Sequence, residues 1–325
     1  MTRIFQIAGA GLAGLACGYE LARRGARVVI YEAAQTVGTK SVARFAGGML
    51  APWCERESAE EDVIRLGAGS ADWWSDITPV ERRGTLVVAT GRDQAELTRF
   101  AQRTSGHRSV SAGDIAALEP DLESRFQRGL FFENEAHLDP RRALCDLADA
   151  VEALGGEIRR GENAPDDVDI DCTGMAADIS GLRPVRGEMA ILCCPEVTLS
   201  RTVRLLHPRI PLYLVPRADG HYMIGATMIE SSSTRAATLR SLSELFSAAF
   251  TLHPAFAEAA IVETGAGLRP AFADNLPRVT HVQGKWHLNG LYRHGFLLAP
   301  AMAKSLAQKL LSETDHENHR ERRTA

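Results

Sequence analysis

The run Gly9-Ala10-Gly11-Leu12-Ala13-Gly14, followed by Glu32 near the ~20-residue spacing of a dinucleotide fingerprint, has the residue types and order needed to hold a dinucleotide. Gly9 permits a tight turn, Gly11 lets the backbone approach a pyrophosphate, and Gly14 lets helix and strand pack closely. A helix opening at this turn aims unpaired N–H groups and its positive dipole end at phosphate. Glu32, with Ala33 beside it, can accept hydrogen bonds from ribose hydroxyls. An acid at this place favours a free 2′-hydroxyl, so FAD or NAD is preferred to NADP. An ordinary βαβ unit with a glycine-rich turn is the plainer alternative. Small-residue bends recur far away, at Arg44-Phe45-Ala46-Gly47-Gly48-Met49, Cys172-Thr173-Gly174 and Arg293-His294-Gly295-Phe296-Leu297-Leu298. A cofactor as long as FAD can use all four bends. A helix beginning near Pro300 would offer its positive end to the flavin pyrimidine edge, where negative charge accumulates on reduction.

Strands and helices must hold these bends in place. An apolar run, Ile4 to Ala8, leads into the first glycine, a helix-period stretch continues to about Arg24 before Gly25 stops it, and Arg27 to Tyr31 reads as a second strand. Glu60 to Trp74 reads as one helix ending in Trp73-Trp74, a pair assigned to the core. Further on, the pattern predicts a strand over Gly84 to Ala89, a helix over Asp93 to Arg103, a capped short helix after Ser111, a strand over Gly129 to Phe132 and an amphipathic helix opening at Pro140 and closed by Gly155-Gly156. Glu157 to Arg160 and Asp167 to Cys172 read as strands. Pro184 to Thr227 is β-rich, with a hairpin turn at Asp219-Gly220. A helix from about Ser233 to Phe250, a strand ending at Gly267-Leu268-Arg269-Pro270, a strand over Trp286 to Asn289 and a helix to about Leu311 complete the chain.

The bulk composition narrows the partners. A formal net charge of −4 argues against nucleic acid or an anionic membrane as the main partner and leaves small molecules. No apolar run approaches the ~20 residues that span a bilayer, and no leader pattern precedes the first strand, so the expected location is the cytoplasm. Six cysteines without CxxC spacing read as reduced thiols, the Cys193-Cys194 pair as packing residues, and no metal site is expected. The expected class is α/β: a Rossmann-like FAD-binding domain interleaved with an antiparallel-sheet substrate domain. The first is placed at 1–76, 139–182 and 263–314, the second at 77–138 and 183–262, and 315–325 is expected to be a disordered tail.

The chain resembles the D-amino-acid-oxidase-like family of FAD-dependent oxidoreductases, most of all its glycine-oxidising branch that serves the thiazole arm of thiamine synthesis. The resemblance rests on GAGLAG with Glu32, ARFAGGMLAP, HLDP at 137–140, PVRGEM at 184–189, YLVPRADGHYMIGATM at 213–228, GLRPAFADNLP at 267–277 and LYRHGFLLAPAM at 291–302, covering Ile4 to about Leu311. It implies noncovalent FAD, a small amino acid or amine as substrate, and O2 as the electron acceptor giving hydrogen peroxide; a homo-oligomer stays open. Arg269 matches the family's carboxylate-binding arginine, and a guanidinium fork suits a carboxylate. Tyr213 matches a substrate tyrosine able to donate to the same carboxylate. Arg293 matches a residue at the flavin and substrate mouth, and Met49 and Met228 match apolar wall positions. His294 is given no base role. The implied mechanism is positioning, with the amine deprotonated before hydride leaves and activity rising toward alkaline pH. Region 156–171 is shorter than the family's β-meander there, which implies less cover on the adenine side. No cysteine stands in 271–277 or 291–298 to link a flavin covalently.

Three other readings stay open. The same enzyme class could act on sarcosine or a D-amino acid, a dehydrogenase could use another acceptor, or a non-catalytic FAD-binding redox protein could keep the fold.

Overall fold

The computed structural model describes residues 3–56, 61–207 and 212–324, with side chains as far as Ser312. The chain forms two compact units, one from residues 1–44, 141–183 and 270–325, the other from 45–140 and 184–269. Residues 45–76, 139–140 and 263–269, expected with the dinucleotide-binding domain, thus fall in the second unit, and residue 183, expected in the substrate domain, in the first. The mixed α/β class is as expected.

In chain order the elements are β1 (Ile4–Ala8), α1 (Leu12–Ala22), β2 (Arg27–Glu32), β3 (Met49–Leu50), α2 (Pro52–Glu55), α3 (Glu61–Gly67), α4 (Ser70–Ser75), β4 (Thr85–Ala89), α5 (Gln94–Arg103), β5 (Arg108–Ser111) and α6 (Ala112–Leu118). Then come β6 (Arg128–Phe132), β7 (Ala136–His137), α7 (Pro140–Ala153), β8 (Glu157–Arg160), β9 (Ile170–Asp171), β10 (Arg183–Cys193), β11 (Thr202–Leu206), β12 (Leu212–Pro216) and β13 (His221–Gly225). The last are β14 (Ile229–Glu230), α8 (Leu239–Leu252), β15 (Ala260–Ala271), β16 (Arg278–Val282), β17 (Lys285–Asn289) and α9 (Gly295–Thr324).

The first unit is built on a six-stranded sheet in the order β16-β17-β9-β1-β2-β8. All neighbours are parallel except the β16–β17 hairpin. Parallel neighbours require crossovers, and α1 supplies the one between β1 and β2. The apolar strands β1 and β2 and the buried side of α1, with Leu15, Ala16 and Leu21 fully covered, form its core.

The second unit is built on a nine-stranded, mostly antiparallel sheet in the order β14-β10-β13-β12-β11-β4-β6-β5, with β15 also pairing β10. Helix α8 packs in a cluster with Leu192, Leu214, Tyr222 and Ile224, so one sheet face is closed by a helix. The Ser111 cap is a full capping box with Asp114, as the sequence suggested.

Several local expectations change. The helix read over Glu60 to Trp74 is two helices, α3 and α4, broken near Gly69, while Glu60 lies outside the described residues. Trp74 is fully buried and Trp73 meets it edge-on at 4.8 Å. The strand expected over Asp167 to Cys172 is only Ile170–Asp171. Helix α8 starts six residues later than Ser233, because Thr238 accepts a hydrogen bond from the Ser241 amide and makes the cap. Pro300 lies inside α9 rather than in its first turn, since the helix already begins at Gly295. The tail expected to be disordered at 315–325 is helical as far as Thr324, because α9 runs on past its expected end near Leu311; residue 325 lies outside the described residues.

Candidate functional site

In the first unit the glycine turn sits where β1 meets α1. Gly9 has φ +90°, a left-handed conformation open to glycine, and its amide donates to the Tyr31 carbonyl. A Cβ on Gly14 would lie 1.8 Å from the Gly9 oxygen, so helix and strand can meet only without one. At Gly11 the nearest atom to such a Cβ is Ser41 Oγ at 3.3 Å, and no backbone closes that side. Gly14→Ala is therefore expected to lower stability by about 2 kcal/mol, the usual scale of an overpacked position, and Gly11→Ala much less. Thermal unfolding of the two variants side by side measures this.

Glu32 stands at the end of β2. Its two carboxylate oxygens accept from the amides of Ala10 (3.1 Å) and Ala34 (2.8 Å), which fixes the acid beside the glycine turn. The Cys172 amide donates to the Ala8 carbonyl, bringing the Cys172-Thr173-Gly174 bend next to Gly9. Thr173 is tied to Asp171 through both its amide and its hydroxyl, and Asn289 donates to the Gly174 carbonyl at 2.8 Å. A Cβ on Gly174 would meet nothing within 4 Å. Gly295 opens α9, and a Cβ there would lie 3.0 Å from the side chain of Leu12, the first residue of α1. The amino termini of two helices thus adjoin, and two positive dipole ends suit an anionic ligand. The unit so gathers the 9–14, 32, 172–174 and 293–298 bends, with Phe296, Leu297, Leu298 and His294 buried.

In the second unit one face of the sheet carries Tyr213 and the head of Arg269. Tyr213 on β12 pairs with Gly225 on β13, which pairs in turn with Met189 on β10. Side chains alternate along a strand, so Gly187 shares the face of Met189. The Arg269 guanidinium lies on that glycine: a Cβ on Gly187 would fall 2.1 Å from Arg269 Nη2. Nη2 also donates to the Thr227 carbonyl. Met189, Val215 and Met223 form a buried apolar floor against which Phe45, Met49 and Tyr213 pack. Met228, expected as a wall residue, is about half exposed at 49%.

The other face of β10 explains the PVRGEM stretch. Arg186 donates to Glu188 at 2.6 Å and to the carbonyls of Ser233 and Ala236, and Glu188 accepts from the amide and hydroxyl of Thr238. Burial opposes the Glu188 charge, but the Thr238 and Arg186 hydrogen bonds outweigh it and hold this carboxyl below its ordinary range. Glu188→Gln keeps an acceptor for Thr238 but leaves Arg186 buried without its counter-charge. It should cost about 2 kcal/mol, read by urea unfolding.

Residues 6–309 match the DAO family, described as FAD dependent oxidoreductase. The chain belongs to that family. A Rhizobium etli protein named as the thiamine biosynthesis oxidoreductase ThiO is 57% identical over 313 residues, covering 94% of this chain and 95% of its own. A glycine oxidase of Pseudomonas aeruginosa is 29% identical over 353 residues, covering 93% of each chain. Among solved structures, glycine oxidase from Bacillus cereus superposes with a TM-score of 0.80 at 20% identity over 96% of each chain, a likeness of fold.

The glycine turn and Glu32 stand in one unit, and Tyr213, Met49, Met228 and Arg269 in the other. Sequence reasoning missed what stands behind Tyr213. Its hydroxyl donates to Glu55, a buried acid at the end of α2, at 2.5 Å. The Cys54 amide donates to Glu135 at 2.7 Å, and the Arg204 guanidinium lies 4.8 Å from the Tyr213 ring centre and 4.7 Å from that of Phe100. Burial pushes the Glu135 carboxyl up to about 8, with Glu55 adding to the rise and the Cys54 hydrogen bond and Arg204 opposing it. Burial, and then Arg217, push His137 down to about 3, so it is neutral opposite Met49. No spacing in the sequence marks Glu55, Glu135 and Arg204 as neighbours; a helix end, a turn and a strand far apart in the chain bring them together.

Proposed function

We propose that the protein oxidises glycine or a similarly small amino acid to its imine with FAD, dioxygen taking the two electrons and two protons to give hydrogen peroxide, and that the imine supplies thiazole synthesis for thiamine. The reading is supported most by the 57% identity, over nearly the whole of both chains, to the R. etli ThiO. The glycine oxidase relatives point the same way.

The chain's own residues fit FAD. Glu32 would take the ribose hydroxyls and the amides at Gly11, Leu12 and Ala13 the pyrophosphate. The start of α9 and the bends at Arg44–Met49, Cys172–Gly174 and Arg293–Leu298 would hold the rest. The open space beside Gly174 and the paired helix termini are the observations behind this fit. Bound FAD would supply the hydride acceptor. Arg269 would fix the substrate carboxylate through its planar fork, and the apolar floor of Met189, Val215 and Met223 would keep water from the reacting carbon. None of these residues is required to act as a base on carbon; the amine loses its proton before the Cα–H bond breaks.

Anaerobic addition of glycine to the FAD-loaded protein should bleach the flavin, and air should restore the colour with release of peroxide. Sarcosine and D-proline tested alongside rank the substrates. Absence of bleaching by any small amino acid would overturn the proposal, and bleaching without peroxide on aeration would remove dioxygen from it.

A further inference from the structure

We propose that Arg217 is a positioning residue for the cofactor. It turns the carbonyls of the 46–48 bend toward itself, so that the amides of Gly47 and Gly48 face away as donors to an acceptor edge of the flavin ring, and its charge makes that ring easier to reduce. The inference rests on the FAD-dependent reading, and every residue it uses belongs to the second unit.

Arg217 directly follows β12, and its side chain is largely buried. Nη2 donates to the Gly47 carbonyl at 2.9 Å and to the Ala46 carbonyl at 3.4 Å, while Nη1 donates to the Pro216 carbonyl at 3.1 Å. In a trans peptide the C=O and the N–H point in opposite directions. Two carbonyls drawn to one nitrogen therefore send the amides that share their peptide planes, those of Gly47 and Gly48, to the far side of the bend. Among the described residues neither amide has an acceptor, and Gly48 is buried. Buried amides without a partner are rare, and a ligand that supplies the acceptor explains one.

The HLDP stretch holds the bend in this orientation. The Leu138 amide donates to the Gly48 carbonyl at 2.9 Å, and Met49 pairs with His137 in the β3–β7 ladder. Gly48 has φ +72°, and a Cβ there would lie 2.2 Å from the Leu138 oxygen, so the close approach needs glycine. Asp139 Oδ2 lies 3.6 Å from Arg217 Nε, which places the counter-charge on the opposite edge of the guanidinium from the bend. A peptide whose carbonyl bonds a cation is a polarised and stronger donor at its N–H. Such donors, with a positive charge behind them, stabilise the negative charge that reduction adds to a flavin.

The test measures the midpoint potential of bound FAD by reductive titration against a reference dye, the FAD Kd by flavin fluorescence, and backbone exchange over 45–50 by hydrogen–deuterium mass spectrometry. Adding FAD to the wild-type protein should slow exchange over 45–50. Arg217→Met should weaken FAD about tenfold and remove most of that slowing. It should also lower the potential by about 30 mV, which is a tenfold loss of preference for reduced over oxidised FAD in a two-electron couple. Arg217→Lys, which keeps the charge without the fork, should stay nearer the wild-type potential than Arg217→Met. Asp139→Asn removes the counter-charge and should raise the potential, whereas damage to the fold would move both variants the same way. An unchanged potential in Arg217→Met, shifts of one sign in Arg217→Met and Asp139→Asn, or exchange over 45–50 that ignores FAD would each overturn the inference. Should Arg217→Met not fold, Asp139→Asn decides alone: a rise supports the inference, and no change or a fall overturns it. If the wild-type protein takes up no FAD, the functional reading fails first.

Discussion

Exchanging Arg269 for glutamine is expected to lower kcat/KM for glycine by about a hundredfold to ten-thousandfold, because a bidentate carboxylate clamp uses two charge-assisted hydrogen bonds worth about 1.5–3 kcal/mol each. A carboxylate held equally in ground and transition states would place the loss in KM, while a misaligned substrate would place it in kcat as well. Arg269→Lys should recover only part, since a point charge lacks the planar fork. Gly187→Ala offers an independent check with the arginine retained: its new methyl would fall 2.1 Å from Nη2 and push the guanidinium off its seat. Steady-state kinetics of the three variants, with circular dichroism to confirm folding, decide the matter. An Arg269→Gln enzyme within tenfold of the wild type would remove Arg269 from the site.

Glu135 should make the protein lose stability as pH rises from about 5 to 8. Burial raises its folded pKa from 4.5 to about 8, so below 4.5 both folded and unfolded chains hold the proton and its contribution is complete. Between the two values the unfolded chain has released the proton while the folded chain keeps it. Stability then falls by roughly 1 kcal/mol per pH unit, for a total of about 3–5 kcal/mol. Above about 8 the folded form ionises as well and the slope disappears. Glu135→Gln keeps the acceptor for the Cys54 amide and has nothing to titrate. Its stability relative to wild type should therefore be near zero at pH 5 and strongly positive at pH 8. Urea unfolding across that range measures the difference; parallel curves would mean that Glu135 is ionised in the folded protein.

Features with a local backbone cause were legible in the sequence. The strand, glycine turn, helix and acid at 4–32 were readable because each imposes its own periodicity or φ requirement, and the Asp219-Gly220 hairpin because both residues adopt positive φ. Strand β16 was not foreseen. Its hairpin to β17 turns at Gln283-Gly284, both with positive φ, and glutamine does not announce a left-handed position as asparagine would. The start of α9 was misplaced because Pro300 suits a first turn, whereas here it stands inside the helix, where it lacks the amide of an interior residue. The acids behind Tyr213 were illegible for a different reason. Glu55, Glu135 and Arg204 look like ordinary surface charges in a linear string, and their meaning comes from three elements distant along the chain.

Strand β10 serves two masters through alternate residues. Arg186 and Glu188 fasten the 233–238 loop on one side, and Gly187 between them is the bare patch on which the Arg269 head rests. An engineer who wishes to re-aim that head toward a bulkier acid cannot shift this strand by one residue without unfastening the loop, because such a slip exchanges the two sides. Altered specificity is therefore more accessible from neighbouring strands than from the strand beneath the arginine.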